Sequence, residues 1–205
     1  MTNETSRIEA YSDGIFSIAA TLLVLELKPP APDLPFWQGV LHQWPGYASF
    51  LLSFLYIGIV WINHHRLFSH IRRSDEVLLA ANLLLLLGVV WIPYPTSLMA
   101  QSVATGQIRA AAIFYNGSYL ALSIAFNLLL QVSIRRKLVD CDPASISAIY
   151  RYYMTGTLLS ALCFAVCWWS VPLSLMLNGS MALYFLISPG VSFTRHVAHS
   201  HQGSV

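Results

Sequence analysis

Arg7-Ile8-Glu9-Ala10-Tyr11-Ser12-Asp13-Gly14-Ile15-Phe16 runs without a break into Ser17-Ile18-Ala19-Ala20-Thr21-Leu22-Leu23-Val24-Leu25-Glu26-Leu27. The stretch has the length and apolar content of a membrane-crossing helix, yet it carries an arginine and an aspartate. A charged side chain at bilayer depth costs at least about 2.5 kcal/mol, so it pairs with another group or faces protein or water. An ion or solute pathway is therefore the first hypothesis.

Composition points the same way. Hydrophobic residues make up 56% of the 205 and charged residues only 10%, whereas a soluble domain carries about 25% charged residues with which to solvate its surface. Six apolar stretches lie near 8–28, 46–68, 77–99, 111–132, 149–171 and 173–190, each close to the roughly 20 residues needed to cross a 30 Å core. The expected fold is an all-α membrane protein, one transmembrane domain over residues 1–205 with six spans. The last two stretches are divided only by the Ser170-Val171-Pro172 turn signal, so a five-span layout stays open.

Nine of the eleven basic residues (Arg7, Arg66, Arg72, Arg73, Arg135, Arg136, Lys137, Arg151 and Arg195) fall on one side of this layout, and only Lys28 and Arg109 on the other. Under the positive-inside rule both termini are cytoplasmic. These residues flank membrane helices and form no soluble basic face, which excludes a nucleic-acid partner. Arg7 followed by an apolar run superficially fits a cleaved signal, but Asp13 and Glu26 bracket that run and no Ala-x-Ala site follows, so the first helix is expected to be retained. Residues 29–45, with Trp37 and Trp44, read as an extracytoplasmic loop with interfacial aromatics. Cys163 and Cys167 share a helix face and suit apolar packing, Cys141 falls in a loop, and His196, His199 and His201 form a solvated tail; none makes a metal site.

On a helical wheel, Tyr11, Ile18, Leu22 and Leu25 form one apolar stripe, with Thr21 a little further round and Asp13 and Ser17 roughly opposite. Such a stripe suits packing or lipid contact; it also suits a pore lining, where rings of aliphatic side chains form a narrow hydrophobic constriction. The polar patch finds candidate partners in Trp61-Ile62-Asn63-His64-His65-Arg66 and in Asn82. A network among Ser12, Asp13, His64 and Asn82 would satisfy groups that lipid cannot hydrogen-bond. A catalytic use of His64 and His65 is a weaker reading, because no other helix offers a carboxylate–histidine cluster.

Arg7-x3-Tyr11-Ser12-Asp13-x2-Phe16, Ile18-x3-Leu22-x2-Leu25-Glu26, Trp61-x2-His64-x-Arg66-Leu67-Phe68, and Asn82 with Pro93-Tyr94-Pro95-Thr96 together resemble the bacterial branch of the transmembrane protein 175 potassium-channel family. The resemblance covers the first three helices closely and the six-span layout generally; Tyr11 stands where phenylalanine is usual. It implies that helix one lines a central pore, with Ile18, Leu22 and Leu25 as stacked hydrophobic rings and Thr21 beside them. Arg7, Tyr11, Ser12, Asp13, Phe16, Trp61, His64 and Asn82 would then be structural. It also implies a homotetramer, since the signature occurs once here while animal relatives resemble two such units fused, and one copy of helix one cannot encircle a pore.

The chain has no Thr-Val-Gly-Tyr-Gly filter and no voltage-sensor arginine ladder. The function that the resemblance implies is a cation channel of the cell (inner) membrane that modestly prefers potassium to sodium without a carbonyl filter, and no cofactor or bound metal is expected. A proton-permeable channel is the first alternative and a membrane enzyme using His64 and His65 the second.

Overall fold

The computed structural model describes residues 5–29, 33–139 and 143–187. Eight α-helices are found among them: α1 (Ser6–Leu22), α2 (Phe36–His42), α3 (Trp44–Phe68), α4 (Glu76–Trp91), α5 (Pro93–Thr105), α6 (Ile108–Arg135), α7 (Pro143–Val166) and α8 (Val171–Ile187). A 3-10 turn, Leu23–Glu26, extends α1. Ser6–Glu26, Trp44–Phe68, Glu76–Ser102 and Ile108–Arg135 are long and apolar enough to cross a membrane; α8 is a shorter apolar helix. Cys141, Arg195, His196, His199, His201 and the end of the stretch expected at 173–190 lie outside the described residues.

The stretch expected as a single helix over 77–99 is two helices that meet at Ile92. Pro93 lacks the N–H that would continue the ladder, and the Ile92 N–H turns back to the Val89 carbonyl at 3.2 Å. The segment 29–45 is not all loop either. It contains α2, whose Phe36 and Trp37 are exposed, and the Gln43 amide donates to the Pro29 carbonyl at 2.8 Å.

Helix α6 is the centre of the bundle. It packs on α4, α5 and α7, while α1 rests on α3 and α4, and α8 on α3 and α7. Close approach between α4 and α6 depends on Gly88, where an added Cβ would come within 3.0 Å of Leu122 Cδ1. Asp75 caps α4 by accepting the Leu78 N–H at 2.8 Å and accepts a 2.7 Å ion-pair hydrogen bond from Arg136 Nε. An antiparallel bridge, Ile71 to Val139, runs beside that pair. The loops after α3 and α6 are thereby tied together at one end of the bundle.

Candidate functional site

One face of α1 belongs to the bundle and the other does not. Ser12, Phe16, Ala19 and Leu23 are buried against the rest of the chain, whereas Tyr11 and the aliphatic side chains of Ile18 (59% exposed), Leu22 (39%) and Leu25 (67%) are uncovered. The 3-10 turn alters the expected wheel at its end. Residues i and i+3 eclipse in a 3-10 helix, which brings Leu25 closer to the line of Leu22 than a continued α-helix would. Thr21 donates to the Ser17 and Ile18 carbonyls at 3.0 and 2.9 Å; such back-bonding bends helices and occurs here just before the α-helix gives way. Its hydroxyl is satisfied within its own helix.

The polar residues form two groups rather than one network. In the buried group, Ser12 Oγ donates its single proton to the Ile8 carbonyl at 2.8 Å and can then only accept from Asn82 Nδ2, at 3.0 Å. The Asn82 amide therefore turns its oxygen to His64 Nε2, at 2.9 Å, and that nitrogen carries the proton. Phe16 packs on the His64 ring at 5.4 Å and Phe68 stacks on it at 4.3 Å. The chain from α1 through α4 to α3 makes His64 Nε2 a donor and leaves its ring held between Phe16 and Phe68.

Asp13 belongs to the second group. Its carboxylate accepts the Trp61 indole N–H at 2.9 Å on the open side of the α1–α3 contact. A groove of about 320 Å³ lies there, with Ser17 and Gly58 in its wall, so Ser17 is exposed rather than packed away. Arg7 makes no hydrogen bond among the described residues; it borders a cleft of about 500 Å³ with Tyr11, Ser74 and Asn82. Glu26 and Lys28, at the far end of α1, make no ion pair among the described residues.

His64 is buried and its neighbour His65 exposed, stacked with Trp61, so the two imidazoles do not converge. No group of three His, Cys, Asp or Glu side chains able to hold a metal occurs among the described residues. Cys163 and Cys167 are free thiols, both buried.

Two polar clusters escaped the sequence reading. Ser53 hydrogen-bonds Thr96 at 2.7 Å and Tyr115 at 3.0 Å. Asn178 accepts from Tyr56 at 2.8 Å and donates to Asn116 Oδ1, which also accepts from Ser174 at 3.2 Å. They pin α3, α5, α6 and α8 together. The only signal for them was an isolated Ser, Thr or Asn in an otherwise apolar helix, which in lipid must find a protein partner.

The architecture and the α1 elements recur in known proteins. Residues 7–93 match the family model described as endosomal/lysosomal potassium channel TMEM175. A potassium channel of Chamaesiphon minutus is 40% identical over 192 residues, covering 90% of this chain and 95% of that one. One of Streptomyces collinus is 38% identical, covering 89% and 92%. The human endosomal/lysosomal proton channel TMEM175 is 26% identical over 97% of this chain, which spans 41% of that longer protein. Among solved structures, a lysosomal potassium-selective channel TMEM175 homolog from Chamaesiphon minutus superposes with a TM-score of 0.80, covering 89% of this chain and 96% of that one.

Proposed function

Because this chain belongs to the TMEM175 family, whose members are ion channels and not enzymes, we propose that it is a potassium-permeable cation channel of the cell (inner) membrane. Four copies surround an axis lined by α1, and each chain crosses the membrane six times with both termini cytoplasmic. Ile18, Leu22 and Leu25 form stacked apolar rings, with Thr21 beside them, and monovalent cations are the permeant species. Ser12, Phe16, His64 and Asn82 hold α1 against its own bundle, as do Asp13 and Trp61; Arg7 and Tyr11 stand beside that contact. No cofactor takes part.

The observation that carries this reading is the uncovered aliphatic face of α1 set directly behind a buried polar anchor. A pore wall must keep its orientation, and this anchor fixes which face of α1 is turned away from its own bundle. Apolar rings offer no ligands, so a cation passes by shedding or squeezing its hydration shell. Potassium releases water more readily than sodium, and the preference that results is modest. Support for the bacterial over the proton-channel reading comes from the chain's coverage of the two bacterial potassium channels along nearly their whole length.

The deciding experiment is a reversal potential from purified protein in a planar bilayer with potassium on one side and sodium on the other. A shift toward the potassium equilibrium potential is expected. Zero shift, or a reversal that follows pH alone, would overturn the reading.

A further inference from the structure

A partly open cavity of about 80 Å³ lies between α3, α6, α7 and α8, lined by no residue of α1. Its wall includes Asn63, Tyr119, Phe126, Asn127, Tyr153 and Met181. Asn127 is the informative member. Its Nδ2 donates to the Ser123 and Tyr153 carbonyls, each at 3.2 Å, and to Thr157 Oγ1. Two of those acceptors are carbonyls and cannot donate, so the amide nitrogen must face them. That leaves Oδ1 at the opposite edge of the amide, buried and without a partner among the described residues.

The Tyr119 hydroxyl is directed at the Ser53–Tyr115 pair, neither member of which borders the cavity. Asn63 uses its oxygen to accept from Tyr153 at 3.3 Å, and its Nδ2 has no partner among the described residues. The wall thus presents an acceptor and an amide donor, with no charged side chain.

We propose that this cavity is a water-binding site in each protomer, separate from the conduction pathway, at which ordered water bridges Asn127 Oδ1 to Asn63 Nδ2. A water needs about 10–15 Å³ of such space and two to four polar partners, and the cavity meets both conditions. A dehydrated cation is a poor occupant, because neutral amide and phenol groups in a low-dielectric interior do not repay its desolvation. An apolar occupant would leave the Asn127 oxygen unpaired. The α7–α8 hairpin is therefore docked on the bundle partly through water.

X-ray radiolytic labelling of the full-length assembled channel in nanodiscs tests this, because bound water activated in place modifies the side chains around it. Phe126 and Phe68 are a matched pair: both are buried, and only Phe126 borders the cavity. Phe126 and Met181 should be modified several-fold faster than Phe68 after correction for intrinsic reactivity. In Asn127→Leu, labelling of both should fall to the Phe68 level. Equal rates at Phe126 and Phe68 in the unmutated protein, or a xenon atom seated in the cavity of a pressurised crystal, would overturn the proposal. The unmutated comparison decides the matter even if Asn127→Leu fails to fold.

Discussion

Trp61 donates its indole N–H to the Asp13 carboxylate across 2.9 Å, joining α3 to α1 on the open side of their contact. The aspartate that made the first helix conspicuous is thus answered by a tryptophan, not by Arg7 or a histidine. A carboxylate with one indole donor keeps acceptor capacity on its second oxygen, toward the groove that holds Ser17.

Asp13→Ala removes the acceptor, and loss of one hydrogen bond to a charged group on this open face costs about 1 kcal/mol. Asp13→Asn keeps an oxygen for Trp61. Thermal-shift size-exclusion of the detergent-solubilised protein should show a lower melting temperature for the alanine variant and a near-normal one for asparagine. Equal losses in both would mean that the charge, and not the indole contact, is what matters.

Asn82→Leu strands both ends of the buried chain, leaving the His64 Nε2 proton without an acceptor and Ser12 without a donor. Each unsatisfied buried group costs about 1–3 kcal/mol, so this substitution should destabilise far more than Asp13→Ala in the same assay. Ser12→Ala, which strands only the amide nitrogen, should fall between them.

Ile18→Asn should wet the narrowest part of the pathway. Single-channel conductance rises and the potassium-over-sodium reversal shift shrinks. Unchanged current and selectivity would remove Ile18 from the pore wall.

Leu22→Cys places a thiol on the uncovered face of α1, where symmetry mates would meet, and mild oxidation should yield dimers on non-reducing gels. Ser17→Cys sits in the groove toward Trp61 and should stay monomeric. The opposite pattern would mean that α1 is rotated and that its apolar stripe meets lipid or a neighbouring bundle.

Asp75 supplies a pH dependence. The Leu78 N–H, and after it the Arg136 guanidinium, hold its carboxyl below the usual carboxylate range. A folded-state pKa below the unfolded value of about 3.9 stabilises at higher pH, and that contribution is lost as pH falls through the lowered value. The difference in melting temperature between the unmutated protein and Asp75→Asn should be constant from neutral pH down to about pH 5 and shrink in stronger acid. A difference that grows on acidification would reverse the assignment.

Much of this protein was legible in its residues one by one. Helical, membrane-spanning character followed from apolar stretches whose polar backbone lipid cannot satisfy except as helix, and the family followed from the Arg7–Phe16 element with Trp61, His64 and Asn82. Local chemistry also marked Pro93 as a breaking point, although reading 77–99 as one helix passed over it. What a single chain's sequence left open was which side chains meet. Ser12 and Asp13 are adjacent in sequence, and 100° of helix rotation sends one to Asn82 and the other to Trp61. Isolated asparagines such as Asn116, Asn127 and Asn178 look alike in an apolar helix. Only packing α6 against α7 and α8 satisfies two of them with each other and turns the oxygen of the third toward a cavity, because hydrogen-bond partners in a membrane bundle are chosen by which helices abut and not by distance along the chain.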